Sequence, residues 1–196
     1  GLPELLSKWT SASSVESPKR KIALGLSMVI VLTTLGICAH RQVRYWKDSF
    51  ILSAHALEIT QNNYVAHYNL GVAYGNLGRW QEAIESFKQA IGIKPDDAEA
   101  YSRLGFAYSS LGRHQDAVEA CKQAIRIKPD FAEAHSNLGA AYGSLGRYHD
   151  AIKSFKQAIR IKPDDAGTHC NLGRAYFLTG DKGSALEEYK ILKTLD

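Results

Sequence analysis

A 34-residue repeat is the feature that most constrains the fold of this chain. The pattern of residues 77–96 returns at 111–130 and again at 145–164, and Pro95, Pro129 and Pro163 are 34 residues apart. A period near 34 is typical of solenoids built from helix pairs, because one pair cannot bury its apolar face without a neighbouring pair. The sequence therefore predicts an all-α solenoid of stacked antiparallel helix pairs.

The first half of each repeat has the pattern of an amphipathic helix. Leu70, Tyr74 and Leu77 lie at i, i+4 and i+7, which places them on one helical face. Gly71 carries no side chain on that face, so a neighbouring helix can approach closely there. Gly78 supplies a stop signal for the helix.

The second half of each repeat predicts another helix with a defined end. Residues 83–91 again place apolar side chains on one face. Lys94 precedes Pro95, and the proline ring disfavours helical backbone at and before its own position, so the helix ends here. Asp97 and Asp165 have side chains suited to capping the helix that follows.

The recurring residues resemble the tetratricopeptide repeat (TPR) family. They are Leu70-Gly71, Tyr74, Ala83, Phe87, Ala90 and Pro95 in the first unit, Leu104-Gly105, Tyr108, Ala117, Cys121, Ala124 and Pro129 in the second, Leu138-Gly139, Tyr142, Ala151, Phe155, Ala158 and Pro163 in the third, and Leu172-Gly173, Tyr176, Ala185 and Tyr189 in the fourth. The resemblance implies a right-handed superhelical solenoid whose concave face is lined mainly by the first helices. We expect four repeats over residues 63–196, the last of them truncated.

The repeats depart from the family at a position where it often has Trp. His67, Tyr101, His135 and His169 stand there, one in each repeat. The histidines are separated by about one helix pair, so we expect hydrogen-bonded packing side chains and no shared metal ion.

Three segments precede the array. Residues 1–21 form a polar, Ser-rich N-terminal segment, and residues 22–44 form a predicted apolar helix. Residues 45–60 align with 79–94 when shifted by one period, so residues 45–62 are predicted to be a degenerate half-repeat. The apolar helix thus lies where the first helix of that degenerate repeat is expected.

Residues 22–39 carry no charge, and basic residues flank them on both sides. Eighteen helical residues would extend about 27 Å, close to the roughly 30 Å of a bilayer core. We favour a membrane span for this segment, which adds the membrane to the expected partners. A helix buried in protein, between subunits, is the alternative.

Residues 44–84 resemble the junction between the last membrane helix and the repeats of TPR-tailed, protein-mannosyltransferase-like membrane glycosyltransferases, and residues 1–9 resemble the loop before that helix. That family's catalytic acidic residues match nothing here, so no transferase activity carries over. The resemblance implies a membrane-associated protein with its repeats extracytoplasmic or on the cell surface. An extracellular assembly is the alternative localisation.

Composition and motifs argue against several function classes. The net charge is +4 and no dense basic patch with interleaved aromatic residues is present, so no nucleic acid is expected as a partner. Cys38, Cys121 and Cys170 lie far apart, which predicts buried or half-buried free thiols and no metal site. No phosphate-binding loop, zinc-protease motif or nucleophile elbow occurs. We therefore predict a protein that is not an enzyme and needs no cofactor.

The predicted concave groove supplies the candidate binding residues. In the TPR family the Asn before Leu-Gly often faces the groove, and an amide can both donate to and accept from a peptide backbone. Arg103 replaces this Asn in the second repeat, and hydrogen bonding along the helix surface is the alternative role for the amides. The predicted partner-binding residues are Asn69, Asn137, Asn171, Tyr68, Phe106, Arg174 and Phe177.

The two ends of the array are the second candidate surface. A solenoid needs polar caps to stay monomeric, and both ends here carry apolar residues. The predicted assembly residues are Val29 and Leu32 at one end and Leu186, Tyr189, Leu192 and Leu195 at the other. We predict a non-enzymatic TPR scaffold that binds proteins or peptides, with head-to-tail self-assembly into a filament or tube as its most specific form. The alternative is the extracytoplasmic TPR tail of a membrane glycosyltransferase, which recruits acceptor or partner proteins.

Overall fold

The computed structural model describes residues 33–35, 37–38, 51–53, 56 and 62–195. The chain divides into two units, Gly1–Asp48 and Ser49–Asp196. In the second unit residues 62–195 form eight consecutive helices. They are α1 (Tyr64–Asn76), α2 (Trp80–Ile93), α3 (Ala98–Ser110), α4 (His114–Ile127), α5 (Ala132–Ser144), α6 (Tyr148–Ile161), α7 (Ala166–Leu178) and α8 (Lys182–Leu195).

The helices pair in sequence order and the pairs stack. Within each repeat the first helix packs on the second, and each second helix packs on the first helix of the next repeat. The successive first helices α1, α3, α5 and α7 also contact one another, whereas the second helices make no such contacts. The stack therefore curves with the first helices on its inner side. This confirms the predicted all-helical TPR solenoid, and the described part of the chain contains no strand.

The turn inside each repeat has one recurring structure. Gly78 adopts a left-handed backbone with φ 71°, and the corresponding glycines of the other three repeats do the same. The N–H of Gly78 donates to the carbonyl of Gly75 at 3.0 Å, and the N–H of Arg79 donates to that of Tyr74 at 2.9 Å. These two bonds form a Schellman motif, which satisfies the last carbonyls of α1. The predicted helix stop at Gly78 is thus confirmed.

The ends of the second helices also match the sequence prediction. Helix α2 ends at Ile93, directly before the Lys94-Pro95 dipeptide. Asp97 accepts hydrogen bonds from the backbone at the start of α3, and Asp165 does so at the start of α7. Phe131 takes the corresponding position before α5 and provides no side-chain cap.

Close contact within the first three repeats depends on the glycine of the Leu-Gly pair. A Cβ added at Gly139 would lie 2.6 Å from the ring of Phe155, and one at Gly71 would lie 2.7 Å from Phe87. In the second repeat Cys121 replaces the phenylalanine, and its sulfur would lie 2.5 Å from a Cβ at Gly105. The predicted close approach at Gly71 is therefore confirmed, and the same contact recurs in two further repeats.

The predicted N-terminal segments lie largely outside the described residues. Of the predicted apolar helix over 22–44, only residues 33–35 and 37–38 are described, and these are helical and exposed. Of the predicted half-repeat over 45–62, residues 51–53 and 56 are helical, and Ser53 is buried. Val29 and Leu32, two of the predicted assembly residues, lie outside the described part.

The predicted localisation requires correction. Within the described residues, no helix has both the length and the apolar character needed to cross a membrane. The helices of the array are 13 or 14 residues long, for example α1 and α2, whereas a span needs about 20 apolar residues. The prediction of a membrane-associated protein with extracytoplasmic or cell-surface repeats is therefore wrong. Its alternative, an extracellular assembly, has no support in the described residues.

Candidate peptide-binding groove

The concave face carries a row of three contiguous pockets. The central pocket, of about 240 Å³, lies across α3, α5 and α7, which are the first helices of three successive repeats. It shares Ser136 and Asn137 with a second pocket of about 280 Å³ near the start of α5. It shares Ala140 and Asn171 with a third of about 240 Å³ near the ends of α5 and α7. We call this row the groove, and an extended peptide could follow it.

The central pocket contains three of the predicted binding residues, Phe106, Asn137 and Asn171. The amide of Asn137 donates to the hydroxyl of Ser102 on the preceding first helix at 3.2 Å. This bond joins the first helices of two successive repeats, so it differs from the local hydrogen bond along one helix that was the alternative role for the amides. The Asn171 amide has no hydrogen-bond partner among the described residues.

The pocket near the helix ends contains a fourth predicted residue, Arg174. It is also lined by Tyr148 and Phe155, so a cationic group lies beside aromatic walls. Arg174 is exposed and forms no ion pair within the described part of the chain. Two repeats earlier, Phe106 stands in the position of Arg174, and its ring packs edge-on against Trp80 with centroids 5.7 Å apart. The pocket there has a volume of only about 70 Å³.

A row of charged and polar side chains links the first helices of the first three repeats. Arg103 lies 3.5 Å from the Glu133 carboxylate and 4.0 Å from that of Glu99. Glu99 also accepts a hydrogen bond of 2.5 Å from the hydroxyl of Tyr68. Burial, and then this bond to a carboxylate, raise the pKa of Tyr68 to about 12. Arg103, which replaces the groove asparagine, is thus held by neighbouring carboxylates.

Three of the predicted binding residues line none of these pockets. The Tyr68 ring is half-buried and packs on Phe87 at a centroid distance of 5.8 Å. Asn69 is exposed on α1, and Phe177 is 63% exposed on α7. The binding roles of these residues, like those of the pocket residues, remain predictions.

Sequence reasoning missed small residues that line the groove. Ser136 and Ala140 flank Asn137 at one residue before and three residues after it, so they belong to the same helical face. A small side chain leaves space in the groove, and the register relative to the asparagine was the signal that could have identified both residues.

The C-terminal helix α8 exposes an apolar face. It contains no buried residue, and Leu186 and Tyr189 are 53% and 54% exposed. In the first repeat, Ile84 and Phe87 stand in the same two positions and are 0% and 3% exposed, because α2 packs between α1 and α3. Leu195 is 37% exposed and Leu192 is partly buried. Leu186 and Tyr189 therefore lie on α8 at positions that the first repeat buries between two first helices.

The histidines have local partners. One ring nitrogen of His135 lies 2.8 Å from the carbonyl of Pro129, and one of His169 lies 2.8 Å from that of Pro163. The prediction of hydrogen-bonded packing histidines is confirmed for these two. In the described part of the chain, no three His, Cys, Asp or Glu side chains could share a metal ion.

The cysteines are free thiols, as predicted, but their burial differs from the prediction. Cys121 is buried, whereas Cys38 and Cys170 are exposed. Cys170 directly follows the buried His169 on α7, and successive helical residues point in different directions. Its side chain therefore lies off the buried face of that helix.

The curved stack and its groove define the class of this protein, a helical-repeat scaffold that binds other proteins. Models of the TPR repeat match residues 76–112, 107–146 and 141–180, and a tetratricopeptide repeat model matches residues 54–85. Together they cover more than half of the chain, and the chain belongs to the tetratricopeptide repeat family. Proteins of this family are generally non-catalytic scaffolds for protein–protein interaction.

Solved structures share the fold. The chain is 28% identical to MamA, with a TM-score of 0.72 over 79% of this chain and 91% of that one. It is 27% identical to TTC0263, a thermophilic TPR protein of Thermus thermophilus, with a TM-score of 0.65 over 82% of this chain and 88% of that one. YrrB, described as a TPR protein with an unusual peptide-binding site, is 20% identical, with a TM-score of 0.65 over 79% and 80% of the two chains. This last likeness shows the fold alone.

The comparisons give no support to a membrane glycosyltransferase. No curated protein matches the chain. The matching family models describe TPR repeats, and none of the matches named above gives evidence of a relationship to mannosyltransferase-like membrane proteins. The predicted alternative function as a glycosyltransferase tail is therefore unsupported.

Proposed function

We propose that the chain binds an extended peptide segment of a partner protein in the groove. One observation carries the proposal: the first helices of three successive repeats line one pocket that is continuous with two others. An extended chain rises about 3.3 Å per residue, so several peptide residues would contact successive first helices.

The chemistry of the groove fits a peptide backbone. Asn171 offers both donor and acceptor atoms, and Asn137 keeps an acceptor oxygen after its bond to Ser102. Such groups hold main-chain atoms irrespective of side chains, and the pockets between them provide space for side chains. Arg174 adds a positive charge at one end, which favours a partner with a carboxylate there.

The test is a substitution that fills the centre of the groove. Ala140→Arg places a long side chain in the register where the fourth repeat has Arg174, and a circular-dichroism melting curve checks that the variant is folded. Peptides selected by display against the full chain should bind this variant at least tenfold more weakly by titration calorimetry. Gln157→Arg, at an exposed position of α6, is the matched control and should leave affinity unchanged. Equal affinity of both variants would rule out the groove.

We propose head-to-tail self-association as a second function, because α8 exposes the face that each earlier second helix buries. Leu186 and Tyr189 would then pack against a first helix of another copy. Heterologous contacts of this kind generate filaments when the rotation does not close.

Sedimentation of the full chain at several concentrations tests this second function. The wild-type chain should form larger species as concentration rises, and Leu186→Glu should shift it towards the monomer. Gln157→Glu introduces the same charge on α6 and should behave as wild type. A wild-type chain that stays monomeric, or association that Leu186→Glu leaves intact, would contradict the proposal.

A further inference from the structure

A lysine ends the second helix at each of the three junctions between successive repeats. At two of these junctions the lysine lies over an aromatic ring. Lys94 Nζ lies 5.2 Å from the centroid of the Tyr64 ring at the first junction. Lys128 Nζ lies 5.2 Å from that of Phe131 at the second. Lys162 has the same register at the third junction, and no ring lies under it in the described part of the chain. A lysine over an aromatic face is a favourable cation–π arrangement, so the third junction lacks a favourable neighbour that the others have.

The first junction shows what a tyrosine does beside this lysine. The hydroxyl of Tyr64 donates to Oδ2 of Asp97 at 2.5 Å. Lys94 Nζ lies 3.1 Å from the same carboxylate, so a lysine, a carboxylate and a phenol form one cluster. Burial and the adjoining carboxylate raise the pKa of Tyr64 above its usual value, which keeps the hydroxyl protonated and able to donate.

The third junction retains the lysine and the carboxylate but lacks the tyrosine. Lys162 corresponds to Lys94, and Asp165 to Asp97, while Ala132 replaces Tyr64. A pocket of about 280 Å³ lies at this point, and its lining includes the charged residues Glu133, Lys162 and Asp165 as well as Ala132. The cavity is thus found where a phenol ring stands two repeats earlier.

The carboxylate of Asp165 has one oxygen left for a donor. Its Oδ2 accepts from the N–H of Thr168 at 3.0 Å and from the hydroxyl of the same residue. Its Oδ1 lies 3.9 Å from Lys162 Nζ, beyond hydrogen-bond distance. No donor among the described residues reaches Oδ1, so a ligand hydroxyl could bind there.

We propose that this pocket binds the phenol side chain of a tyrosine from a partner protein. The hydroxyl donates to Oδ1 of Asp165, and the ring lies under the ammonium of Lys162. Because the pocket shares Ser136 and Asn137 with the central pocket, this tyrosine belongs to the peptide in the groove. The inference therefore rests on the proposed function and adds the identity of one anchoring side chain.

The test uses a single amino acid as the probe, because a whole peptide would confound the pocket with the groove. N-acetyl-L-tyrosinamide is titrated into the ¹⁵N-labelled full chain, and N-acetyl-L-phenylalaninamide is the matched probe without a hydroxyl. Saturable shifts are expected at the amides of Ala132, Ser136 and Thr168, with a Kd on the order of 1 mM for a ligand of this size. The phenylalanine probe should bind about tenfold more weakly, because it cannot donate to the charged Asp165 carboxylate.

Two variants exploit the internal copy of the site. Ala132→Tyr rebuilds the cluster of the first junction and should abolish the saturable shifts. Asp165→Asn keeps a side chain that caps α7 but removes the charge, and should reduce the preference for tyrosine over phenylalanine to about twofold or less. The circular-dichroism melting curves of both variants are compared with that of wild type. If Ala132→Tyr is unfolded, Asp165→Asn decides.

The outcomes separate this inference from the proposed function. Equal affinity for both probes, or saturable shifts that survive Ala132→Tyr in a folded chain, would overturn the tyrosine pocket. Display-selected peptides that bind in the groove without any tyrosine would overturn it as well and leave the proposed function standing. Conversely, a chain that binds the tyrosine probe but no extended peptide would keep the pocket and refute the groove.

Discussion

Replacing Gly139 by alanine tests the close helix packing on which the solenoid depends. The new Cβ would lie 2.6, 2.7 and 2.9 Å from three atoms of the Phe155 ring, which is only 2% exposed. Overpacking of this kind costs about 1–3 kcal/mol. The better helix propensity of alanine returns up to about 1 kcal/mol. We therefore expect Gly139→Ala to lower the free energy of unfolding by about 1–2 kcal/mol.

Gly143, four residues later on the same helix, provides the matched control. A Cβ there meets no atom within 4 Å, so Gly143→Ala should raise stability by up to about 1 kcal/mol. Urea unfolding followed by circular dichroism compares the two variants with wild type. Their unfolding free energies should differ by about 2–3 kcal/mol. If Gly139→Ala proves as stable as Gly143→Ala, the close-contact argument is wrong.

Two further predictions concern buried groups of the array. Burial alone lowers the pKa of His169, but hydrogen bonds to Glu188 and to the Pro163 carbonyl, at 2.6 and 2.8 Å, raise it above its usual value. Protonated His169 therefore stabilises the last repeat below the unfolded-state pKa near 6.5, and this contribution is lost as the pH rises through the folded pKa. Thermal melts at a series of pH values should show this loss of stability. A His169→Gln variant whose stability has the same pH dependence as wild type would refute the prediction. Burial raises the pKa of the Cys121 thiol to about 12, whereas Cys170 is exposed. A thiol reagent at about pH 8 should therefore modify Cys170 quickly and Cys121 only on unfolding. Mass spectrometry of the labelled peptides measures both rates, and early modification of Cys121 would contradict the prediction.

The repeat period alone was sufficient to predict the helical array. Periodic apolar residues, Gly78 and Pro95 fix where helices begin and end, because these are local properties of the backbone. The close approach at Gly71 also follows from the local pattern. A glycine on an apolar face has no side chain, so the neighbouring helix can pack directly against the backbone.

The side-chain partners in the groove were harder to predict, because they depend on contacts between repeats. Asn137 binds Ser102 in the preceding repeat, and Tyr68 packs on Phe87 and binds Glu99 in the next repeat. The repeat pattern does not indicate which of these side chains contact one another. The membrane localisation rested on hydropathy, and within the described residues no helix has the length and apolar character needed for a span. Hydropathy alone does not distinguish a span from other apolar segments of that length.

The most direct test of peptide binding in the groove is a chemical-shift map of the full chain with a display-selected peptide. We expect the largest shifts on the first helices α3, α5 and α7, at Phe106, Ser136, Asn137, Ala140 and Asn171. Shifts confined to the second helices α2, α4 and α6 would contradict it.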